Sequence, residues 1–122
     1  MKRILIADDK ASSRELLRTV LEHQGYEVLE ADNGEEAWQV VQNEDLHLVL
    51  LDLQMPLLNG YEVLREIRSN GKLSGLPVIA ITANAMPEDR EKVMAAGFDS
   101  YVSKPVALAQ LRAEVSRLLG AG

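Results

Sequence analysis

Short apolar segments alternate five times with stretches whose apolar residues recur at helical spacing, and this alternation constrains the fold more than any other feature of the chain. The apolar segments occupy residues 4–7, 27–30, 48–51, 78–81 and 98–102. Between the first two, the apolar residues that recur at the spacing of one helix face are Leu16, Leu17, Val20 and Leu21. Strands that alternate with helices over short connections form right-handed βαβ units and a parallel sheet. We therefore predict an α/β chain built from five strand–helix pairs.

Residues that favour helix ends support this division of the chain. Two Asn–Glu pairs have the spacing of a capping box: Asn33 with Glu36 and Asn59 with Glu62. Pro87 suits the first turn of the fourth helix, because its missing N–H would have no partner there. Gly97 suits the C-terminal end of the same helix, where a left-handed residue is common.

The composition of the five strand segments predicts their order in the sheet. The segments at 4–7, 48–51 and 78–81 are apolar throughout, as central strands covered on both faces must be. The segments at 27–30 and 98–102 carry charged or hydroxyl residues and are therefore expected at the edges. The order 2-1-3-4-5 satisfies both conditions and is one of the common doubly wound arrangements.

Length and charge limit the classes of function. The 122 residues predict a single domain over 1–122 with a core of its own. The net charge of −6 argues against a general nucleic-acid binder, and the absence of cysteine excludes disulfides and thiolate metal sites. The apolar segments are too short to cross a bilayer or to form a signal peptide, so we expect a cytoplasmic protein without a membrane partner.

Polar side chains follow the predicted central strands at the point where each strand ends. Asp8 and Asp9 follow the first strand, Asp52 follows the third, Thr82 follows the fourth and Lys104 lies just beyond the fifth. Ligands of open α/β sheets bind outside the carboxyl ends of the strands, near the position where the strand order reverses. We therefore expect these carboxylates, the hydroxyl and the ammonium to meet at one edge of the sheet.

Three adjacent carboxylates repel one another, and a hard divalent cation would relieve that repulsion. Mg²⁺ prefers oxygen ligands and commonly combines one or two carboxylates with a phosphate. Lys104 and Thr82 are suited to phosphoryl oxygens. A carboxylate in such a site can act as a nucleophile and form an aspartyl phosphate.

The spacing of these residues resembles that of the receiver domain of two-component response regulators. The resemblance rests on Asp8-Asp9, the run from Asp52 to Gly60, Thr82-Ala83 and Lys104-Pro105, and it covers essentially the whole chain. It implies a chemotaxis-regulator-like (βα)5 chain of the flavodoxin-like type. It also implies that the chain takes a phosphoryl group from a histidine kinase or a histidine phosphotransfer protein.

The resemblance implies a role for each site residue. Asp52 would be the phosphoacceptor and, with Asp9, a direct Mg²⁺ ligand. Asp8 would act largely through water, and the backbone carbonyl of Gln54 would supply a further ligand. Lys104 would pair with the phosphoryl group.

The resemblance also assigns a switch and a means of setting the phosphate lifetime. Thr82 would move toward the phosphate and Tyr101 would swing inward, although a strand tyrosine is often simple packing. Ala83 is small, as phosphoryl access requires in this family. Gln54 and Asn84 would flank the path of the hydrolytic water.

The expected partners follow from the same resemblance. The histidine-bearing protein would dock beside the first helix near Lys10, Ala11 and Arg14, and a downstream protein would bind the face of the fourth helix, fifth strand and fifth helix. Slow self-dephosphorylation would make the chain a signalling domain rather than an enzyme in the usual sense. No effector domain is expected within these residues, so a free-standing regulator and a receiver excised from a hybrid histidine kinase are equally compatible with the sequence.

Other classes fit the residues less well. A hydrolase that uses an aspartyl phosphate would carry a second acid where Gln54 stands, together with a cap insertion. A flavin protein would need a hydroxyl- and glycine-rich first turn, whereas this chain has Asp8 and Asp9 there. Asp8 and Asp9 could also simply cap the first helix. A receiver-like interaction module that is not phosphorylated stays open as an alternative.

Overall fold

Five strands and five helices alternate along residues 1–83 and 86–120, which the computed structural model describes. The strands are β1 (Arg3–Ala7), β2 (Glu27–Ala31), β3 (Leu48–Asp52), β4 (Val78–Thr82) and β5 (Ser100–Ser103). The helices are α1 (Ala11–His23), α2 (Gly34–Asn43), α3 (Gly60–Ser69), α4 (Pro87–Ala96) and α5 (Leu108–Leu119). All strands pair in parallel in the order β2-β1-β3-β4-β5, which confirms the predicted topology.

The alternation of side chains along each strand creates a core on both faces of the sheet. One face buries Leu5, Val49 and Ala80 against α2, α3 and α4. The other buries Ile6 and Leu50, with their equivalents on β4, against α1 and α5. Every residue of β3 and β4 is buried, because these central strands have helices on both sides.

The edge strand β5 differs from its predicted range of 98–102. Phe98 is buried in the core on the α2–α4 side instead of pairing with β4. The Asp99 side chain accepts the N–H of Val78 at 2.8 Å, and the Asp99 N–H donates to the Val78 carbonyl at 2.8 Å. Regular pairing therefore begins only at Ser100, opposite Ile79.

The helix ends mostly follow the predicted signals. Asn59 and Glu62 form a complete capping box, and Gly97 ends α4 with a φ of 111°. The apolar stripe of α1 is narrower than the spacing suggests, since Leu16 is exposed. No helix in the described part of the chain is both long enough and apolar enough to cross a membrane.

Candidate functional site

The carboxyl ends of the strands bring the predicted site residues to one edge of the sheet. Asp52 and Thr82 are the last residues of β3 and β4, and Asp8 directly follows β1. Lys104 directly follows β5, and its N–H donates to the Thr82 carbonyl at 2.7 Å. Parallel pairing aligns these ends in space although they are far apart along the chain.

The three aspartates form one cluster. Asp8, Asp9 and Asp52 each offer a carboxylate oxygen, and these oxygens all lie within 4.8 Å of one another. Asp8 and Asp52 are buried, whereas Asp9 is exposed. Negative charges this close repel one another, so the cluster is suited to holding a hard cation between its oxygens.

Asp52 is held at both carboxylate oxygens. Its Oδ1 accepts the Gln54 N–H at 2.9 Å, and its Oδ2 accepts from Lys104 Nζ at 2.8 Å. Burial raises the pKa of the Asp52 carboxyl and the charge of Asp8 adds to this rise, while Lys104 and the Gln54 N–H oppose it. The result is a desolvated carboxylate whose direction is fixed by two donors.

Asp8 has one carboxylate oxygen without a hydrogen bond. Its side chain is fully buried, and Oδ1 accepts the Lys10 N–H at 2.9 Å. Among the described residues no donor bonds Oδ2, which lies 3.2 Å from Lys104 Nζ. A buried carboxylate oxygen with an ion pair but no hydrogen bond fits a cation site, because a buried acceptor without a hydrogen bond costs free energy. The N-cap residue of α1 is Lys10, so Asp8 and Asp9 both precede the helix, and the bond from the Lys10 N–H to Asp8 closes a turn just before it.

Lys104 is the ammonium of the site and contacts two carboxylates. Burial acts to lower its pKa, but the hydrogen bond to Asp52 and the negative charges of Asp52 and Asp8 outweigh this effect and raise the pKa. The peptide bond from Lys104 to Pro105 is cis. Because its pKa is raised, the Lys104 side chain stays charged while it contacts the two buried acids.

The turn after β3 depends on a glycine whose role the sequence does not reveal. The Gly60 N–H donates to the Leu53 carbonyl at 3.1 Å. A Cβ at position 60 would lie 2.7 Å from the Asp52 carbonyl oxygen and 2.9 Å from the Leu53 Cα. The pattern Asn59-Gly60 is explained by helix capping alone, so only the structure shows that Gly60 lets α3 begin against the backbone of Asp52.

The remaining predicted residues lie around the same edge. Thr82 is buried, and it lines a groove of about 290 Å³ beside Gln54, whose side chain is exposed. Ala83 is exposed, and Asn84 lies outside the described residues. Tyr101 is half-buried and packs against the core on the α2–α4 side. Burial raises the pKa of Tyr101, and the charge of Asp89 adds to the rise.

The residues near α1 that were expected to contact a docking partner differ in their exposure. Lys10 and Ala11 are exposed, as docking would require. The Arg14 side chain is only 17% exposed and turns toward the carboxyl edge of the sheet. Sequence spacing places all three at the start of α1 but does not distinguish their directions.

The chain is similar in sequence and in fold to known response regulators. The family model of the response regulator receiver domain matches residues 4–116. The probable transcriptional regulator ycf27 of Cyanophora paradoxa is 43% identical over 118 residues, which make up 97% of this chain and 48% of that protein. The chain thus spans about half the length of the ycf27 relatives that it matches.

Two further relatives match over nearly their whole length. The polar-differentiation response regulator DivK of Brucella anthropi is 33% identical over 119 residues, covering 98% of this chain and 97% of that protein. The structure of the response regulator TrrA from Thermotoga maritima, in complex with Mg²⁺-BeF, is similar with a TM-score of 0.88 and 39% identity. That similarity covers 98% of this chain and 100% of the other.

Proposed function

The chain belongs to the response regulator receiver family of two-component signalling, and from this premise we propose that Asp52 accepts a phosphoryl group from a phosphohistidine. The donor would be a histidine kinase or a histidine phosphotransfer protein. The observation that carries the proposal is the position of Asp52, a buried carboxylate clustered with Asp8 and Asp9 and bonded to Lys104 at 2.8 Å.

The chain would bind Mg²⁺ through Asp9, Asp52 and the backbone carbonyl of Gln54, with Asp8 acting through water. The unbonded Oδ2 of Asp8 and the mutual repulsion of the cluster support this assignment. The similar TrrA structure holds Mg²⁺-BeF. When bound, the ion supplies positive charge that neutralises the phosphoryl oxygens during transfer.

The protein groups perform the remaining chemistry. An oxygen of Asp52 attacks phosphorus in line, so a P–O bond forms while the P–N bond to the donor breaks and its electron pair stays on the imidazole. Lys104 already lies 2.8 Å from Asp52 Oδ2, and its raised pKa keeps it charged for pairing with a phosphoryl oxygen. Water later hydrolyses the acyl phosphate, at a rate influenced by the side chains of Gln54 and Asn84.

We further propose that phosphorylation changes a protein-binding surface through Thr82 and Tyr101. Thr82 would move toward the phosphate and Tyr101 would turn inward, altering the face of α4, β5 and α5 that binds a downstream protein. A two-state element of this kind is shifted by a ligand that prefers one state. The net charge of −6 supports a protein target over nucleic acid.

In this proposal residues 1–122 act as one receiver unit in the cytoplasm, with self-catalysed phosphotransfer and slow self-dephosphorylation. Output passes through a partner protein or a region outside these residues. The activity is that of a signalling domain, because each phosphoryl group modifies the chain itself.

Intact-mass measurement tests the phosphoacceptor. Incubation with a small phosphodonor and Mg²⁺ should add one phosphoryl group, and Asp52→Asn or removal of the metal with a chelator should abolish the addition. Asp45→Asn is a matched control, because it makes the same change at an exposed aspartate away from the cluster. An adduct that persists in Asp52→Asn would contradict the assignment of Asp52. No adduct from any small donor or partner kinase would favour the interaction module that is not phosphorylated.

A further inference from the structure

Arg14 of α1 is bonded to the backbone of the aspartate cluster. Its Nη1 donates to the Asp8 carbonyl at 2.6 Å, and its Nε donates to Glu30 Oε1 at 3.1 Å. Glu30 lies in β2, and its other oxygen accepts from Arg18, one turn further along α1. The guanidinium therefore joins the start of α1, the end of β1 and β2 in one contact.

The bond from Arg14 adds to other hydrogen bonds that hold the backbone and side chain of Asp8 in place. The Asp8 N–H donates to the Ala31 carbonyl at 3.1 Å, its Oδ1 accepts the Lys10 N–H at 2.9 Å, and its carbonyl accepts from Arg14. The Oδ2 directed toward Lys104 is then the one polar atom of Asp8 for which the described residues supply no hydrogen bond. Because the Asp8 carbonyl belongs to the peptide that leads into Asp9, holding that oxygen also restrains where the Asp9 side chain begins.

The chemistry of arginine matters at this position. A guanidinium presents several donors in a rigid plane and can bond two separate acceptors at once, whereas a lysine ammonium is a compact point charge on a flexible stem. Arg14 uses this geometry to bond the carbonyl of Asp8, just after β1, and the carboxylate of Glu30 in β2. The small exposed fraction of its side chain, 17%, leaves little of it available to a partner.

We propose that Arg14 is a positioning residue for the aspartate cluster, held in place by Glu30. It fixes the Asp8–Asp9 peptide in the arrangement that binds Mg²⁺, and this role replaces the expected contact between Arg14 and the histidine-bearing partner. The inference rests on the proposed Mg²⁺ site and deepens it by assigning a residue that does not itself touch the ion.

Mg²⁺ titrations of Arg14→Met and Arg18→Met test the proposal. Binding is monitored by NMR of the backbone amides around Asp9. Both variants remove one guanidinium from Glu30, but only Arg14 bonds Asp8, so Arg18→Met is a charge-matched control. Residues that orient metal ligands typically change affinity by about 10–100-fold, so Arg14→Met should weaken Mg²⁺ binding by about tenfold or more. Arg18→Met should change it by less than about twofold, because Arg18 is 43% exposed and pairs with Glu22 and Glu30 rather than with Asp8. Equal affinity in Arg14→Met and wild type would overturn the inference.

A second variant keeps the test decisive if Arg14→Met does not fold. Glu30→Ala leaves Arg14 intact but removes its anchor in β2, so it should weaken Mg²⁺ binding in the same direction by a smaller factor. Glu22→Ala is its control, since Glu22 pairs only with Arg18 among the ion pairs of the described residues. Wild-type affinity in Glu30→Ala would count against the anchoring role.

Phosphorylation by a small phosphodonor separates positioning from docking. If Arg14 positions the cluster, Arg14→Met should slow this kinase-free reaction at low Mg²⁺ and recover as Mg²⁺ approaches saturation. If Arg14 instead contacts the partner, only transfer from the phosphohistidine protein should slow, and the inference would be wrong. A wild-type chain that binds Mg²⁺ but accepts no phosphoryl group would refute the proposed function alone, because the Mg²⁺ affinities would still decide the role of Arg14. A wild-type chain that binds no Mg²⁺ would refute both.

Discussion

At the scale of single residues, Asp52 combines two opposing environments. Its side chain is 6% exposed and lies beside the buried carboxylate of Asp8, both of which disfavour its charge. The ammonium of Lys104 and the Gln54 N–H favour the charge, but the pKa of Asp52 is still raised overall. A carboxylate that is costly to keep ionised in the folded chain is one that gains from a cation or a covalent partner.

The raised pKa predicts an unusual effect of removing this charge. An acid whose pKa is higher in the folded chain stabilises the fold at pH values below its ordinary pKa, which is 3.8 for Asp52. That stabilisation is lost as the pH rises through the raised pKa of the folded chain. Without Mg²⁺ at neutral pH, Asp52→Asn should therefore be more stable than wild type. The difference should shrink as the pH falls through the raised pKa.

Urea unfolding at several pH values, with chelator present, measures this effect. Asp45→Asn serves as control, since it removes a carboxylate from an exposed position. A variant Asp52→Asn that is less stable than wild type at neutral pH would show that the pairing with Lys104 outweighs burial.

At the scale of elements, α2 begins in direct contact with the turn that follows β3. The Gly34 N–H donates to the Pro56 carbonyl at 3.3 Å, and a Cβ at position 34 would lie 1.8 Å from the Leu58 carbonyl oxygen. The next residue back in that turn, Leu57, has a φ of 72°, which is uncommon for a residue other than glycine. The conformation of the turn that leaves Asp52 is thus coupled to the position of a neighbouring helix.

Gly34→Ala should destabilise the chain by about 3 kcal/mol, since the added carbon has to displace backbone rather than a flexible side chain. Gly75→Ala is a matched control, because nothing lies within 4 Å of its Cβ position, and it should change stability by less than about 1 kcal/mol. Denaturant unfolding of both variants measures the contrast. Similar values for the two would mean that the turn moves aside at little cost.

Strand order could be predicted from the residues because burial on both faces requires continuous apolar segments, as in β3 and β4. The first residue of β5 could not be predicted in this way. An apolar residue such as Phe98 fits the start of a strand and a buried position in the preceding connection equally well. The direction of Arg14 was also beyond sequence reasoning. A basic residue at the start of a helix fits an exposed and an inward position equally well, and the acceptors of Arg14 lie outside its own helix, after β1 and in β2.

At the scale of the whole molecule, the edge of the sheet opposite the site is held by Arg68. This α3 side chain donates to the carbonyls of Gly97, Ser74 and Leu76 at distances of 2.7–3.1 Å. It also pairs with the Asp99 carboxylate at 2.8 Å. One guanidinium thereby links α3, the connection before β4 and the connection before β5.

Arg68→Met should lower the free energy of unfolding by about 2 kcal/mol, because several carbonyls lose a charged donor. The denaturant midpoint should fall while the slope m stays unchanged, since the native surface remains similar. Arg65→Met, on an exposed position of the same helix, controls for the loss of charge. A loss no larger than that of Arg65→Met would show that water replaces these bonds without cost.

The convergence of Asp8, Asp52 and Lys104 could be predicted at this scale, because parallel strands place their carboxyl ends along one edge. The close approach of Gly60 to Asp52 could not, since it depends on how tightly α3 packs against the end of β3. Sequence reasoning thus finds the charged groups of the site more readily than the backbone contacts that support them.

The position of Lys104 in the chain has a consequence for protein synthesis. Asp52 and Lys104 are separated by 52 positions, and Lys104 comes after the last strand of the sheet. While the chain is being made, the aspartates emerge well before the ammonium that pairs with them. A partly synthesised chain that ends before Lys104 therefore lacks this ammonium, and the aspartates and Lys104 can come together only after residue 104 has left the ribosome.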